Sequence, residues 1–231
     1  MRALIDGDIV VYRCAASAEN EEETWISLTR ADKMIQEILE DTKSSCYSVF
    51  LTGEGNFRRE LAPSYKANRP DNRPRHWQAV REFLVTQHQA FMCNGYEADD
   101  EMGVQQDKLY GSTIICSIDK DLLQIPGLHY NFVKKELKEV THEEGLKSLY
   151  TQSLVGDRSD NILGVAGVGP VKAERVLAGL SAPEELYEAC RALYNDDDRF
   201  HLNMKLLYIW QQPSDSWAPP PRSGEPTATE P

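Results

Sequence analysis

The sequence predicts an α/β fold: a central, mainly parallel sheet flanked by helices, followed by a helical C-terminal region. Three observations carry this. Short apolar runs of strand length (Ala3-Leu4-Ile5, Val49-Phe50-Leu51 and Thr113-Ile114-Ile115-Cys116) are separated by segments with helical spacing. Each of these runs leads into an acidic cluster. Beyond about residue 150 the strand-like runs stop, and a Gly-rich turn introduces further helices.

Taken in order, residues 2–5 form a first strand ending at Asp6, and the polar residues 19–23 a surface loop. Met34, Ile35, Ile38 and Leu39 predict a helix over 30–42, with Thr29 as its cap. Residues 46–52 read as the second strand. The stretch 53–75 is rich in Arg, Asn and Pro, and Val80, Phe83 and Leu84 mark a helix over 75–87. Glu97 opens a helix that runs to Tyr110 and stops at Gly111. A third strand at 113–117, a hairpin of 128–133 with 137–140, and a helix at 142–154 follow. The turn Gly164-Val165-Ala166-Gly167-Val168-Gly169 enters a helix at Pro170, a first helical position that suits proline. Helices at 183–193 and 198–210 complete the fold. The domains expected are a core over 1–150, a helical region over 151–212 and a disordered, Pro-rich tail over 213–231.

The chain has 231 residues and a formal net charge of −12. Ten carboxylates fall in five clusters: Asp6 and Asp8; Glu54; Glu97, Asp99 and Asp100; Asp119 and Asp121; Asp157 and Asp160. Without those ten the net charge is only −2, so the rest of the chain is nearly neutral. Strand C-termini line the ligand crevice of an open α/β sheet. Carboxylates gathered there repel one another unless cations sit between them, and hard oxygen donors suit Mg²⁺ or Mn²⁺. Arg58, Arg59, Lys66, Arg69, Arg73, Arg75 and Arg81 form a basic stretch opposed only by Glu60 and Asp71. A basic patch beside an acidic metal site suits an anionic substrate. Asp8 is either a further ligand or a residue that shapes the turn after Asp6; Glu101 is expected to face solvent.

The five cysteines are scattered without a Cys-x-x-Cys pair, which argues against zinc and disulfides; those near strands read as small buried apolar residues. With no signal peptide and no long apolar run, a soluble, cytoplasmic, monomeric protein without membrane contact is expected.

Six motifs in order give the chain a family resemblance: Asp6-Gly7, Tyr65-Lys66-Ala67-Asn68-Arg69, Glu97-Ala98-Asp99-Asp100, Asp119-Lys120-Asp121, Gly156-Asp157-x-x-Asp160-Asn161-Ile162 and Gly164-Val165-Ala166-Gly167-Val168-Gly169-Pro170. Over residues 1–210 it resembles the 5′ nucleases: bacteriophage 5′→3′ exonucleases, flap endonucleases and the N-terminal nuclease domain of bacterial DNA polymerase I. The resemblance implies a PIN-like core and two Mg²⁺ ions, with Mn²⁺ as substitute. Asp6, Glu54, Glu97, Asp99 and Asp119 would serve the first ion, with Asp100 in the same cluster. Asp121, Asp157 and Asp160 would serve the second. Glu54 departs from the family, where Asp is usual. Two ions about 4 Å apart can hold the phosphate, lower the pKa of water and stabilise the leaving oxygen. No side-chain nucleophile is needed. Lys66 and Arg69 would contact the phosphates flanking the cut as catalytic residues, on one face if their segment is helical, and Lys66 would stabilise charge developing on the phosphoryl oxygens. Tyr65 either stacks on a base or packs. Arg73, Arg75, His76 and Arg81 would guide the strand. Residues 70–96 leave little room for the family's helical arch, which favours an open groove and exonuclease action over obligatory threading of a flap.

The Gly-rich turn resembles the family's helix–turn–helix element for duplex DNA, with Gly167, Gly169 and Lys172 at the phosphates and no base readout. In the family its carbonyls can hold K⁺; the matching positions are Leu154, Val155, Leu163, Val165 and Val168. The expected substrate is DNA with a duplex and a free 5′ end or junction, and RNA–DNA hybrids as in primer removal. A phage or stand-alone bacterial enzyme fits. The alternatives are a PIN-type ribonuclease, a non-catalytic junction-binding module and a phosphatase for small substrates. The Gly-rich element, the near-complete acidic set and the basic stretch argue against them in turn.

Overall fold

The computed structural model describes residues 1–70 and 72–221. In chain order its elements are β1 (Arg2–Asp6), α1 (Gly7–Ser17), α2 (Thr24–Thr42), β2 (Cys46–Thr52), α3 (Phe57–Leu61), α4 (Trp77–Gln87), β3 (Phe91–Cys93), α5 (Ala98–Lys108) and β4 (Thr113–Cys116). A 3₁₀ turn (Asp121–Gln124), β5 (Gly127–Asn131), β6 (Glu136–Val140), α6 (His142–Val155), β7 (Gly156–Asp157), β8 (Ile162–Leu163), α7 (Pro170–Leu177), α8 (Pro183–Arg191) and α9 (Asp197–Leu207) follow. The six-stranded sheet has the order β3-β2-β1-β4-β5-β6, and only β6 runs antiparallel. Beside β1 the order reverses: the chain moves outward through β2 to β3 on one side, then through β4 to β5 on the other. Such a switch point is where α/β sheets open a crevice. Asp6 ends β1 there, one residue past the pairing of Ile5 with Cys116.

Several expected bounds shift. Helix α1 was not anticipated; its Ile9-Val10-Val11 run is β-branched, which lowers helix propensity. It forms because Asp6 caps it, accepting from Ile9 N at 3.1 Å, and because Val10, Val11, Cys14 and Ala15 share a buried face. Gly7 permits its close approach to the sheet, since a Cβ there would lie 2.5 Å from the Phe50 carbonyl oxygen. Helix α2 starts at Thr24 after Glu23, so Thr29 lies inside it and caps nothing. β3, only three residues long, was not anticipated as a strand.

The chain divides into two units, each built from separated stretches. Unit 1 comprises Met1–Phe57, Pro70–Thr141 and Ile209–Asp215. Unit 2 comprises Arg58–Arg69, His142–Tyr208 and the described residues from Ser216 on. In unit 1 successive side chains of β1 serve opposite sheet faces. Ala3 and Ile5 pack with Val10, Val11, Ile35, Val80 and Leu84, whereas Leu4 packs with Phe50, Met102, Ile115 and Ile209. Trp210 lies between Phe57 and Tyr96, with ring centroids 5.0 and 5.2 Å away. Unit 2 centres on Tyr150, Leu154, Ala173, Leu177, Phe200 and Met204. Trp217 packs there as well, 8% exposed, so the chain is ordered at least that far into the tail expected to be disordered; residues 222–231 lie outside the described residues. Four cysteines are buried free thiols, but Cys46 is exposed at the start of β2. Among the described residues no helix is long and apolar enough to cross a membrane.

Candidate active site

The first acidic neighbourhood lies in unit 1, at the C-terminal edge of the parallel strands. Asp6 is 3% exposed. Its Oδ1 caps α1 and its Oδ2 accepts Ser117 Oγ at 2.6 Å. Ser117 Oγ in turn accepts Asp119 N at 3.0 Å, so one hydroxyl ties the loop after β4 to the end of β1. Asp119 Oδ1 accepts Asp121 N at 2.9 Å. Burial, and then the charge of Asp8, push the Asp6 carboxyl from 3.8 up to about 7; the bonds from Ser117 and Ile9 oppose the rise, and the charge of Asp119 adds to it. No lysine or arginine pairs with Asp6 or Asp119 among the described residues.

The neighbouring carboxylates are positioned by named donors. Glu97 accepts Asn56 Nδ2 at 2.8 Å, and its own N–H donates to Asp100 Oδ2 at 3.0 Å in a reciprocal cap of α5. Asp99 sits half-buried in the first turn of that helix. Glu54 is exposed, and its N–H donates to Asn94 Oδ1 at 3.0 Å. Ser117, Asn56 and Asn94 were not singled out from the sequence. Their only signal was a place within three residues of an acidic motif.

Several readings change here. Asp100, expected to help hold metal, is 0% exposed, one oxygen accepting Glu97 N and the other Trp210 N at 3.2 Å, so it caps α5 and anchors residue 210. Asp8 lies in the first turn of α1, where it accepts Thr52 N at 3.0 Å and pairs with Arg81 at 3.1 Å, so it ties α1 to the end of β2 and to α4 rather than shaping the turn after Asp6. Arg81 is therefore no strand guide. Only 12% of its side chain is exposed, it donates to the Thr52 carbonyl, and it lies over the Trp77 ring. His76 is likewise buried, bonded to the Glu21 carbonyl at 2.9 Å. Arg75 is exposed but bonded to Glu19 and Glu21, and Arg73 stacks on Trp77 at 4.1 Å. Glu101 does not simply face solvent; it accepts Tyr96 Oη and Gln105 Nε2.

An all-oxygen donor set with a buried carboxyl beside like charges suits a hard divalent cation. Among the described residues, however, no three Asp, Glu, His or Cys side chains converge into a closed cage. Serine, asparagine and backbone donors hold several of these oxygens instead.

The second acidic neighbourhood lies within unit 2. Asp157 Oδ1 accepts Ser159 N, Ser159 Oγ and Asp160 N at 2.7, 2.6 and 3.2 Å, which folds residues 157–160 into a tight turn between β7 and β8. Asp160 accepts Arg69 Nη2 at 2.5 Å and Tyr65 Oη at 2.9 Å, with Lys66 Nζ at 3.6 Å. Further bonds lock the two segments together: Lys66 N to the Asp160 carbonyl, Asn68 to Arg158, Arg69 Nε to Ser159 and Asn161 to Ser64. Residues 62–69 are successive turns rather than a helix, with Lys66 at φ 55°, so helical spacing is not what brings Lys66 and Arg69 together. Of the two readings of Tyr65 the structure gives packing, since its ring is 3% exposed.

The Gly-rich segment leads into α7, with Lys172 exposed in its first turn. A Cβ at Gly167 or Gly169 would meet nothing within 4 Å, which leaves room for another backbone to approach. Of the carbonyls matched to K⁺, Leu154 and Val165 accept Val165 N and Val168 N, and Leu163 accepts both Asn203 Nδ2 and Arg199 Nη2.

The family described as 5′-3′ exonuclease, N-terminal resolvase-like domain, matches residues 1–151. DNA polymerase I of Caldicellulosiruptor bescii is 33% identical over 181 residues, 67% of this chain and 21% of the polymerase. Flap endonuclease Xni of a Shewanella species is 28% identical over 75% of this chain and 72% of its own length. The phage T5 D15 protein, crystallised with metal ions, superposes with a TM-score of 0.67 at 17% identity, covering 89% of this chain and 88% of its own. The catalytic core of Rad2 with DNA gives 0.52 at 16% identity, over 86% and 65%. At these identities the structural matches speak for the fold alone. The match over residues 1–151 decides the family, and the chain belongs to the 5′-3′ exonucleases.

Proposed function

We propose that the protein is a divalent-metal-dependent 5′ nuclease that hydrolyses phosphodiesters of DNA bearing a duplex and a free 5′ end or junction. The observation that carries this is Asp6, buried at the switch point of the sheet beside Asp8 and Asp119, without a cationic partner among the described residues. Asp6, Glu54, Glu97, Asp99 and Asp119 would hold Mg²⁺ or Mn²⁺. For Asp121, and in unit 2 for Asp157 and Asp160, a metal role rests on the motifs alone. Bound metal would activate water and offset charge on the phosphate. The chain's own groups do the positioning: Ser117 aligns Asp6 with the loop carrying Asp119, and Asn56 holds Glu97.

In unit 2, Lys66 and Arg69 are the phosphate-facing candidates, held by Asp160 until a phosphate competes for them. Gly167, Gly169 and Lys172 would receive the backbone of duplex DNA. Between residues 70 and 96 the described helix, α4, packs Val80 and Leu84 into the core of unit 1. It is no free-standing arch, which favours exonuclease action in an open groove. Cleavage of 5′- and 3′-labelled flap, nicked, single-stranded and RNA–DNA substrates, with Mg²⁺, Mn²⁺ or EDTA, tests the proposal. Metal-dependent cutting from the 5′ end that Asp119→Asn abolishes is expected. Tight junction binding with no cutting under either metal would replace the enzyme with a binding module, and cutting confined to RNA would favour a ribonuclease.

A further inference from the structure

The backbone around the Gly-rich turn is unusually crowded. Gly156 has φ +78°, and a Cβ on it would lie 2.3 Å from Gly164 N; one on Gly164 would lie 2.3 Å from the Val155 carbonyl carbon. Carbonyl groups gathered this way need donors or a cation. A K⁺ ion is held when carbonyl oxygens replace its water shell. Each oxygen has two lone pairs. Both on Leu163 are taken, by Asn203 Nδ2 at 2.9 Å and Arg199 Nη2 at 2.9 Å. Gly164 O accepts the same Arg199 nitrogen at 2.7 Å, and Leu154 and Val165 each serve a backbone amide. The residues present therefore do not fit a potassium ion: of the matched carbonyls Leu163 is saturated by protein donors, and a guanidinium already sits across it and the adjacent Gly164 carbonyl.

Arg199 is held in that place. It lies in the first turn of α9, where the helix dipole disfavours a cation, so its position is not one that helix formation selects. Asp196 caps the helix by accepting Asp198 N and Arg199 N. The guanidinium carbon stands 5.8 Å from the centroid of the Tyr194 ring. Tyr194 Oη donates to the Ser153 carbonyl and accepts Asn203 Nδ2 at 3.1 Å, and that same Asn203 nitrogen also reaches Leu163.

We propose that the Arg199 guanidinium is the resident cation of the Gly-rich turn, in place of a monovalent metal, so that the turn and the duplex grip assigned to it are independent of K⁺. The duplex part rests on the functional reading above; the structural part does not. The test is thermal unfolding of the full chain, and binding to duplex DNA in EDTA, in potassium chloride and in choline chloride of equal ionic strength. An ion bound at ~100 times its Kd would raise Tm by on the order of 5–10 °C. The expected result is the same Tm and the same affinity in both salts. Arg199→Met should lower Tm by several degrees and weaken duplex binding at least about tenfold, the worth of roughly one charge-assisted hydrogen bond. Arg199→Lys should keep part of both. A wild-type Tm or affinity that rises with potassium over choline overturns the proposal, as does an Arg199→Met protein indistinguishable from wild type. Should Arg199→Met fail to fold, the salt comparison on the unaltered chain still decides. Absence of duplex binding in every salt would remove the DNA-binding reading, while the Tm series would still judge Arg199.

Discussion

Asp6 in unit 1 and Asp160 in unit 2 are both acidic residues of family motifs, but their surroundings differ. Asp6 is buried next to Asp8 and Asp119 and is steadied by a hydroxyl and a backbone amide. Asp160 is met by Arg69, Lys66 and Tyr65 in its own unit. The first arrangement stores repulsion that an external cation would relieve. The second is complete within the protein, so a metal or a phosphate must displace something to use it. Unit 2 repeats this self-sufficiency: Arg58, 2% exposed, donates from Nε and Nη2 to the Leu206 and Tyr208 carbonyls at the end of α9, much as Arg199 serves Leu163 and Gly164.

The largest expected effect separates activity from stability. Asp6→Asn keeps an acceptor for Ile9 N but loses the charge. Cleavage should fall at least about 10³-fold, or ~4 kcal/mol of barrier, while Tm in EDTA at pH 8 rises by about 2–4 °C per kcal/mol of repulsion relieved. A lower Tm would break the comparison. Next, Arg58→Met removes the buried guanidinium that donates to the Leu206 and Tyr208 carbonyls, and should cost roughly 2–4 kcal/mol in urea unfolding.

Asp160→Asn should also destabilise the metal-free chain, by about 1–3 kcal/mol, because Lys66 loses its anion in a largely enclosed place and the half-exposed Arg69 loses it too. A gain in stability would put Asp160 in the same class as Asp6. The smallest effect is in pH. Asp6 titrates near 7 in the folded chain against 3.8 unfolded, so its contribution is full below 3.8 and is lost as pH rises through about 7. Burial holds His88 and His129 below their ordinary 6.5, so theirs is full above 6.5 and is lost as pH falls through the folded values. The two trends oppose one another between about pH 4 and 7, and neither changes stability further above that window. Asp6→Asn should remove the fall in Tm of the metal-free chain with rising pH across this window, and His88→Gln part of the opposing rise.

The parallel sheet was legible because its strands are continuous apolar runs ended by acids, and the helices 142–155 and 170–177 because their starts carry clear signals. What stayed hidden were relations between distant residues. Tyr65-Lys66-Ala67-Asn68-Arg69 and Asp157 to Asn161 read as two motifs with separate tasks. In the fold they are one clasp joined across about ninety residues of chain. Asp100 looked like its neighbour Asp99, and only the backbone amide of Trp210, over a hundred residues away, marks it as an anchor. Arg81 looked like any member of a basic stretch until burial and the pairing with Asp8 were known.

The placement of Trp210 between Phe57 and Tyr96 bears on how the protein is made. Unit 1 closes with residues 209–215, which leave the ribosome after nearly all of unit 2, and residues 58–69 must wait for residues 142–208 before unit 2 can form. Neither unit is finished when its first two-thirds have emerged. Contacts this far apart in sequence slow folding and lengthen the exposure of apolar surface. Expression of residues 1–150 alone should therefore yield an aggregation-prone fragment, with the apolar surface around Ile209 and Trp210 left uncovered.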